Sequence, residues 1–195
     1  MNYPIDFSFK ILAIASQIYI RDVNGGLIGY VKQKLFKLKE DINLFADENQ
    51  TQLLFNIKAD RVLDFSAKYN FTDARGNFLG SIKRRGMRSI FKANYEIYDA
   101  NDLQVMAINE EKGWIKVVDA LIGEVPLIGI FTGYFFNPSY LVTRTNNAPV
   151  ARLVKQPAFL EGKFQMSKLA ELNPDDESRV LLGLLTMTLL ERTRG

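Results

Sequence analysis

The run Lys83-Arg84-Arg85, followed by Arg88, holds the most evident chemistry in this sequence. A planar guanidinium grips phosphate through two hydrogen bonds, and clustered Lys and Arg attract anionic head groups at about 1 kcal/mol per charge near a membrane. Lys32, Lys34, Lys37 and Lys39 form a second basic stretch. Residues 32–92 carry 13 Lys/Arg against 7 Asp/Glu, a net of +6 in a chain whose total is +3. The partner this implies is an anionic membrane surface or a phosphorylated ligand, held by Lys83, Arg84, Arg85, Arg88, Lys32 and Lys34. The bias is too small to imply nucleic acid. The plainer reading is that lysines at strand ends blunt edges and keep the protein soluble.

Other candidates carry less. Asp175-Asp176-Glu177 offers oxygen ligands of the kind calcium takes. Three acids just before a helix more often complement its dipole, so no metal is expected and calcium is the alternative. Gly25, Gly26 and Gly29 lack the Lys-Ser/Thr and the βαβ context of a phosphate loop. Glu110 and Glu111 are adjacent and would face opposite sides of a strand, which is poor geometry for a catalytic carboxylate pair. The chain has no His and no Cys. That excludes Ser-His-Asp and Cys-His mechanisms, thiolate zinc sites and disulfides. A non-enzymatic protein without a cofactor is expected.

The elements that position these residues are legible in a repeat. Asp22-Val23-Asn24-Gly25, Asp47-Glu48-Asn49-Gln50, Asp73-Ala74-Arg75-Gly76 and Asp99-Ala100-Asn101-Asp102 start 25, 26 and 26 residues apart, and Arg144-Thr145-Asn146-Asn147 is a degenerate fifth copy. Asp and Asn bond their own backbone and Gly accepts positive φ, so each copy reads as a hairpin turn between strands. Lys32, Lys58 and Lys83 follow the turn Asp by ten or eleven residues, and Lys155 follows Arg144 by eleven; the Asp99 hairpin departs with Asn109. If the turns share one barrel end, these lysines gather at the other.

Two segments break the row. Trp114 to Gly123 fits a short helix, ended by Gly123 and Pro126, and Leu127 to Phe136 reads as buried strand closed by Asn137-Pro138. Further strands are expected at Leu141 to Arg144, Val150 to Lys155 and Gly162 to Met166. The last element, a helix over about 177–192, is apolar on every face from Val180 to Leu190 and must be surrounded. Its 11-residue apolar run is too short for a bilayer span of about 20 residues. An all-round apolar helix after a dozen strands belongs inside a closed barrel, which needs roughly 11–12 strands to hold it. The expected fold is mainly β: one domain over 1–195, a closed antiparallel barrel around a buried C-terminal helix. Met1 to Ile20 carries Asp6 and Lys10 and lacks a basic start, so a cytoplasmic protein is expected, peripheral at a membrane if it binds lipid.

The tandem strand–Asp-turn–strand units, the segment Thr132-Gly133-Tyr134-Phe135-Phe136-Asn137-Pro138-Ser139-Tyr140, then Gly162-Lys163-Phe164 and the apolar helix ending Glu191-Arg192-Thr193-Arg194-Gly195 resemble the LURP-one-related and phospholipid-scramblase-like proteins of the Tubby C-terminal-like superfamily. The resemblance runs from about Ile18 to Gly195. It implies a 12-stranded barrel around a buried C-terminal helix. It also implies phosphoinositide binding as in Tubby proteins, or scramblase-like membrane activity. The chain lacks the scramblases' Cys-rich segment and Pro-rich extension, and Asp175-Asp176-Glu177 is shorter than their calcium loop. A lipid-binding barrel is therefore the first expectation, with a scramblase-like protein and a protein-interaction module as alternatives.

Overall fold

A computed structural model describes residues 1–11, 15–34, 41–61, 67–85, 94–111, 138–157 and 162–192. Twelve strands run in sequence: β1 (Ile5–Ile11), β2 (Ala15–Arg21), β3 (Leu27–Lys34), β4 (Asp41–Phe45), β5 (Leu53–Ala59), β6 (Lys68–Asp73), β7 (Phe78–Arg84), β8 (Asn94–Tyr98), β9 (Gln104–Glu110), β10 (Ser139–Arg144), β11 (Pro149–Gln156) and β12 (Gly162–Lys168). Among the described residues one helix, α1 (Pro174–Arg192), follows. Each strand pairs antiparallel with the next, and β12 closes on β1 from Ile5 opposite Met166 to Phe9 opposite Gly162. Closure leaves no edge strand to template aggregation. The expected helix at Trp114 to Gly123 and strand at Leu127 to Phe136 lie outside the described residues.

The repeat is a set of five hairpins whose turns share one end of the barrel. In four of them the Asp side chain accepts two backbone amides: Asp22 from Asn24 and Gly26, Asp73 from Arg75 and Asn77, Asp99 from Asn101 and Leu103, and Asp47 from Thr51 and Gln52. Three residues after the first position of each copy the backbone enters the left-handed region, at Gly25, Gln50, Gly76, Asp102 and Asn147. Gly, Asn and Asp tolerate that conformation; a long side chain such as Gln50 does not do so readily. Gln50→Gly is therefore expected to raise stability by about 0.5–1 kcal/mol, read as a higher urea midpoint at unchanged slope. An unchanged or lower midpoint would contradict this account of the turn.

The helix threads the barrel, as its lack of a polar face requires. Val180, Leu182, Leu184, Leu185 and Met187 are each 0% exposed. Two hydroxyls enter this apolar interior without being orphaned: Thr186 and Thr188 donate to the carbonyls of Leu182 and Leu184, each at 2.7 Å. A Cβ on Gly183 would lie 3.0 Å from Ile97 Cδ1, so the helix packs closely on β8 there. The helix begins three residues earlier than the sequence pattern suggests. Asn173 caps it by accepting the Asp176 amide at 2.8 Å, and Pro174 takes the first helical position, where a missing N–H is harmless. No helix among the described residues is long and apolar enough to cross a membrane.

Candidate functional site

Strand alternation divides the basic run that the sequence presents as one cluster. Side chains along β7 alternate between lumen and outer wall, and Ile82, fully buried, fixes the phase. Lys83 therefore faces outward, opposite Lys68 on β6 and Glu96 on β8. Arg85, just past the strand, has a side chain 76% exposed and lies 3.6 Å from Glu96. Arg84 falls in the lumen phase: its side chain is 9% exposed, its guanidinium lies 5.9 Å over the Tyr95 ring, and it sits 3.8 Å from Glu191. The expectation that Lys83, Arg84 and Arg85 share one exposed face is thus corrected at Arg84. Arg88, Lys37 and Lys39 lie outside the described residues.

The same rule sorts the other lysines. Lys32, opposite Gln17, and Lys58, opposite Asp41, are exposed on the outer wall of β3 and β5. Lys34 is the last residue of β3, paired with Ala15. Lys155 keeps the phase of buried Leu153 and so belongs to the lumen side. All lie toward the barrel end away from the turns, and Lys32, Lys58 and Lys83 share the outer wall.

Arg84 joins a polar group at the C-terminal end of the helix. The Tyr95 hydroxyl donates to Glu191 Oε1 at 2.5 Å. Burial and then that bond push the phenol well above its usual range, so it stays a donor. Tyr140 on β10 is pushed up to about 12 by burial, then by the carboxylates of Glu110 and Glu191. A cation here also suits the negative end of the helix. Arg84 therefore latches the helix end, a role the sequence reading missed; the signal was Ile82, two residues before it on the same face.

At the other helix end the three acids diverge. Asp175 is exposed and lies 4.0 Å from Arg179. Asp176 binds Arg179 at 2.8 Å and accepts from Asn173 at 3.0 Å. Glu177 accepts from Tyr3 at 2.9 Å, with Lys168 at 3.7 Å. Arg179 also donates to the Leu79 carbonyl at 2.6 Å, which ties the helix to β7. Asp175 and Asp176 thus share Arg179, whereas Glu177 turns away to Tyr3 and Lys168. Among the described residues no group of three His, Cys, Asp or Glu is placed to hold a metal ion. Glu110 and Glu111 separate as their adjacency requires: Glu110 takes the lumen phase, and Glu111 forms a two-pronged pair with Arg152, both bonds at 2.7 Å.

Residues 28–169 match the family described as LURP-one-related. The chain belongs to the LURP-one-related family. A protein of Arabidopsis thaliana solved by X-ray diffraction superposes with a TM-score of 0.51 at 17% identity, over 98% of this chain and 92% of its own. At that identity the likeness speaks for the fold alone. No curated protein matches the chain.

This LURP-one-related barrel is electrically sorted along its axis. The turn segments carry six carboxylates (Asp22, Asp47, Glu48, Asp73, Asp99, Asp102); Lys68 pairs with Asp102, Arg75 and Arg179 act on Asp73 and Asp99, and Arg21 and Arg144 flank two other turns. Asp22, Asp73 and Asp99 are held below the usual carboxylate range, chiefly by the Asn2 side chain, the Asn77 side chain and the Leu103 amide respectively. Around Asp47 loss of hydration opposes the effect, and bonds from Thr51 and Gln52 outweigh it. The helix enters at this acidic end with its positive terminus and leaves among Arg84 and the strand-end lysines with its negative one, so charges and dipole agree.

Proposed function

We propose that this LURP-one-related barrel is a non-enzymatic cytoplasmic binding domain that docks on anionic phospholipid head groups through the outer wall of β3, β5 and β7. One observation carries the reading. Lys32, Lys58 and Lys83 project outward from every second strand, and no ion pair joins them to a carboxylate among the described residues. Strands lie about 4.8 Å apart, so the three lysines recur roughly every 10 Å across the wall, before the offsets of strand register. Lysines tied up as structural ion pairs would not be left in this state. Arg85 stands beside them, exposed although near Glu96.

The three lysine charges at about 1 kcal/mol each would enrich the protein on an anionic surface on the order of a hundredfold at low salt. Screening within about 3 Å at 1 M salt would remove most of that. The test is co-sedimentation with phosphatidylserine- or phosphoinositide-containing vesicles. Wild type is expected to pellet at 0.1 M salt and stay in solution at 1 M. Lys32→Glu/Lys83→Glu/Arg85→Glu is expected to stay in solution at both. Failure of wild type to pellet at low salt, or equal pelleting by the triple variant, would refute the proposal. Arg84→Glu is a poor probe, because it sets a second carboxylate against Glu191 inside the barrel.

A further inference from the structure

We propose that the barrel docks end-on, its axis upright on an anionic membrane, through a collar of lysines around the end away from the turns; this rests on the lipid docking of the basic wall. Lys32, Lys58 and Lys83 lie at one height. Continuing the register of Tyr30 opposite Phe45 by two residues sets Lys32 against Asn43, which faces Asn56. Lys58 stands two residues beyond Asn56 along β5. It is in turn level in register with Asn70 and Ser81, and Lys83 stands two residues beyond Ser81. Two residues along for two strands across is about 7 Å against about 10 Å, the slope of barrel strands tilted by about 35°. The tilt therefore cancels the offset in register.

The collar continues on strands outside that wall. Lys10 on β1, opposite Gln17, and Lys163 on β12, opposite Ser8 and Gln156, are exposed on the outer face. By the same slope both lie within about two residues of that height. Neither has an ion pair among the described residues, and Lys10 Nζ lies 5.3 Å from the centre of the Tyr19 ring. The carboxylates Asp41, Glu96 and Glu111 are engaged nearby, by Asn56, Tyr98 and Arg152 respectively. Placement decides the posture. In a barrel of twelve strands the wall turns by about 120° from Lys32 to Lys83, and Lys10 and Lys163 face about 120° and 150° away from Lys58. A flat surface touching the wall at Lys58 would leave Lys10 and Lys163 on the averted side, beyond the Debye length of about 10 Å at 0.1 M salt. With the axis upright, all five lysines stand at nearly one distance from the membrane.

The test is co-sedimentation of the full chain with phosphatidylserine vesicles at 0.1 M salt. Lys10→Gln/Lys163→Gln should weaken partitioning about twentyfold, as much as Lys32→Gln/Lys83→Gln does. All four side chains lie on the outer wall, so each thermal melt should match wild type and separate lost binding from lost folding. If wild type pellets and Lys10→Gln/Lys163→Gln pellets equally well, the end-on posture is overturned and the wall of β3, β5 and β7 stands as a side-on face. If wild type does not pellet, both are overturned. The chain has no Cys, so single cysteines can report the posture. A fluorophore on Val23→Cys, Ala74→Cys or Thr145→Cys, exposed positions on three turns around the opposite end, should stay open to a water-soluble quencher in the bound protein. Shielding of any one of them by the vesicle would overturn the proposal.

Discussion

Gly80→Ala is expected to destabilise the barrel by about 4 kcal/mol or more, at the far end of what one substitution does. Two costs combine. The backbone at Gly80 has φ +140°, where an L side chain is strained by about 1–3 kcal/mol. A Cβ built there would also lie 2.2 Å from the Tyr98 carbonyl oxygen. That oxygen belongs to β8, where Tyr98 faces Ser81, and it cannot yield without opening the ladder. Arg179 Nε stands 3.3 Å away on the third side, held by its bond to the neighbouring Leu79 carbonyl. Relief by shifting β7 would therefore also loosen the anchor of the helix. Gly76→Ala supplies the control. Gly76 has φ +84°, and an added Cβ would meet nothing within 4 Å, so only the backbone cost of about 1–2 kcal/mol applies. Urea unfolding of both variants decides the matter. If Gly80→Ala is no worse than Gly76→Ala, close approach of β8 is not what selects glycine there.

Gly183 shows that closeness alone is not decisive. Its added Cβ would meet Ile97 Cδ1 at 3.0 Å, the end of a side chain that can turn aside. Alanine also favours helix over glycine by about 1 kcal/mol. The two effects nearly cancel, whereas at Gly80 nothing offsets the clash.

Much of this architecture is legible in the sequence because its signals are local. An Asp that binds amides two and four residues ahead makes a turn with no help from the rest of the chain, as at Asp22, Asp73 and Asp99. A helix with no polar face can be placed inside a barrel before any contact is known. The basic residues were harder, because proximity in sequence competes with strand alternation. Lys83-Arg84-Arg85 reads as one patch until Ile82 is used to set the phase, and then Arg84 moves to the lumen beside Glu191. The acids before the helix show a different limit. Their dipole role could be read from position, but the partners of Glu177 lie at Tyr3 and Lys168, and such pairings depend on barrel closure. The helix starts three residues before the apolar run implies, because its cap Asn173 and first residue Pro174 are polar or ring-locked positions that the run does not mark.

Removing residues 178–195 is expected to abolish folding altogether. Seven apolar helix side chains (Val180, Leu181, Leu182, Leu184, Leu185, Met187 and Leu189) are at most 4% exposed. Burying each is worth about 1.5–3 kcal/mol, roughly 10–20 kcal/mol together, against a net stability of about 5–15 kcal/mol for a typical domain. The loss is larger still, because the inner faces of the strands would then line a wide apolar void. Ile57, Phe71, Ile82 and Ile97 are all fully buried in the cluster that includes the helix. Such a lumen cannot close by small adjustments, since strand number and register fix the width of a closed barrel. Single substitutions grade the effect: Leu184→Ala or Leu185→Ala should each cost about 2–5 kcal/mol, lowering the melting temperature by roughly 4–20 °C while the transition stays cooperative. The truncated chain should show no cooperative transition by circular dichroism and should bind a hydrophobic dye. A soluble truncated protein that melts cooperatively near wild type would mean that the strands hold the barrel open unaided, and that the helix is a passenger in it.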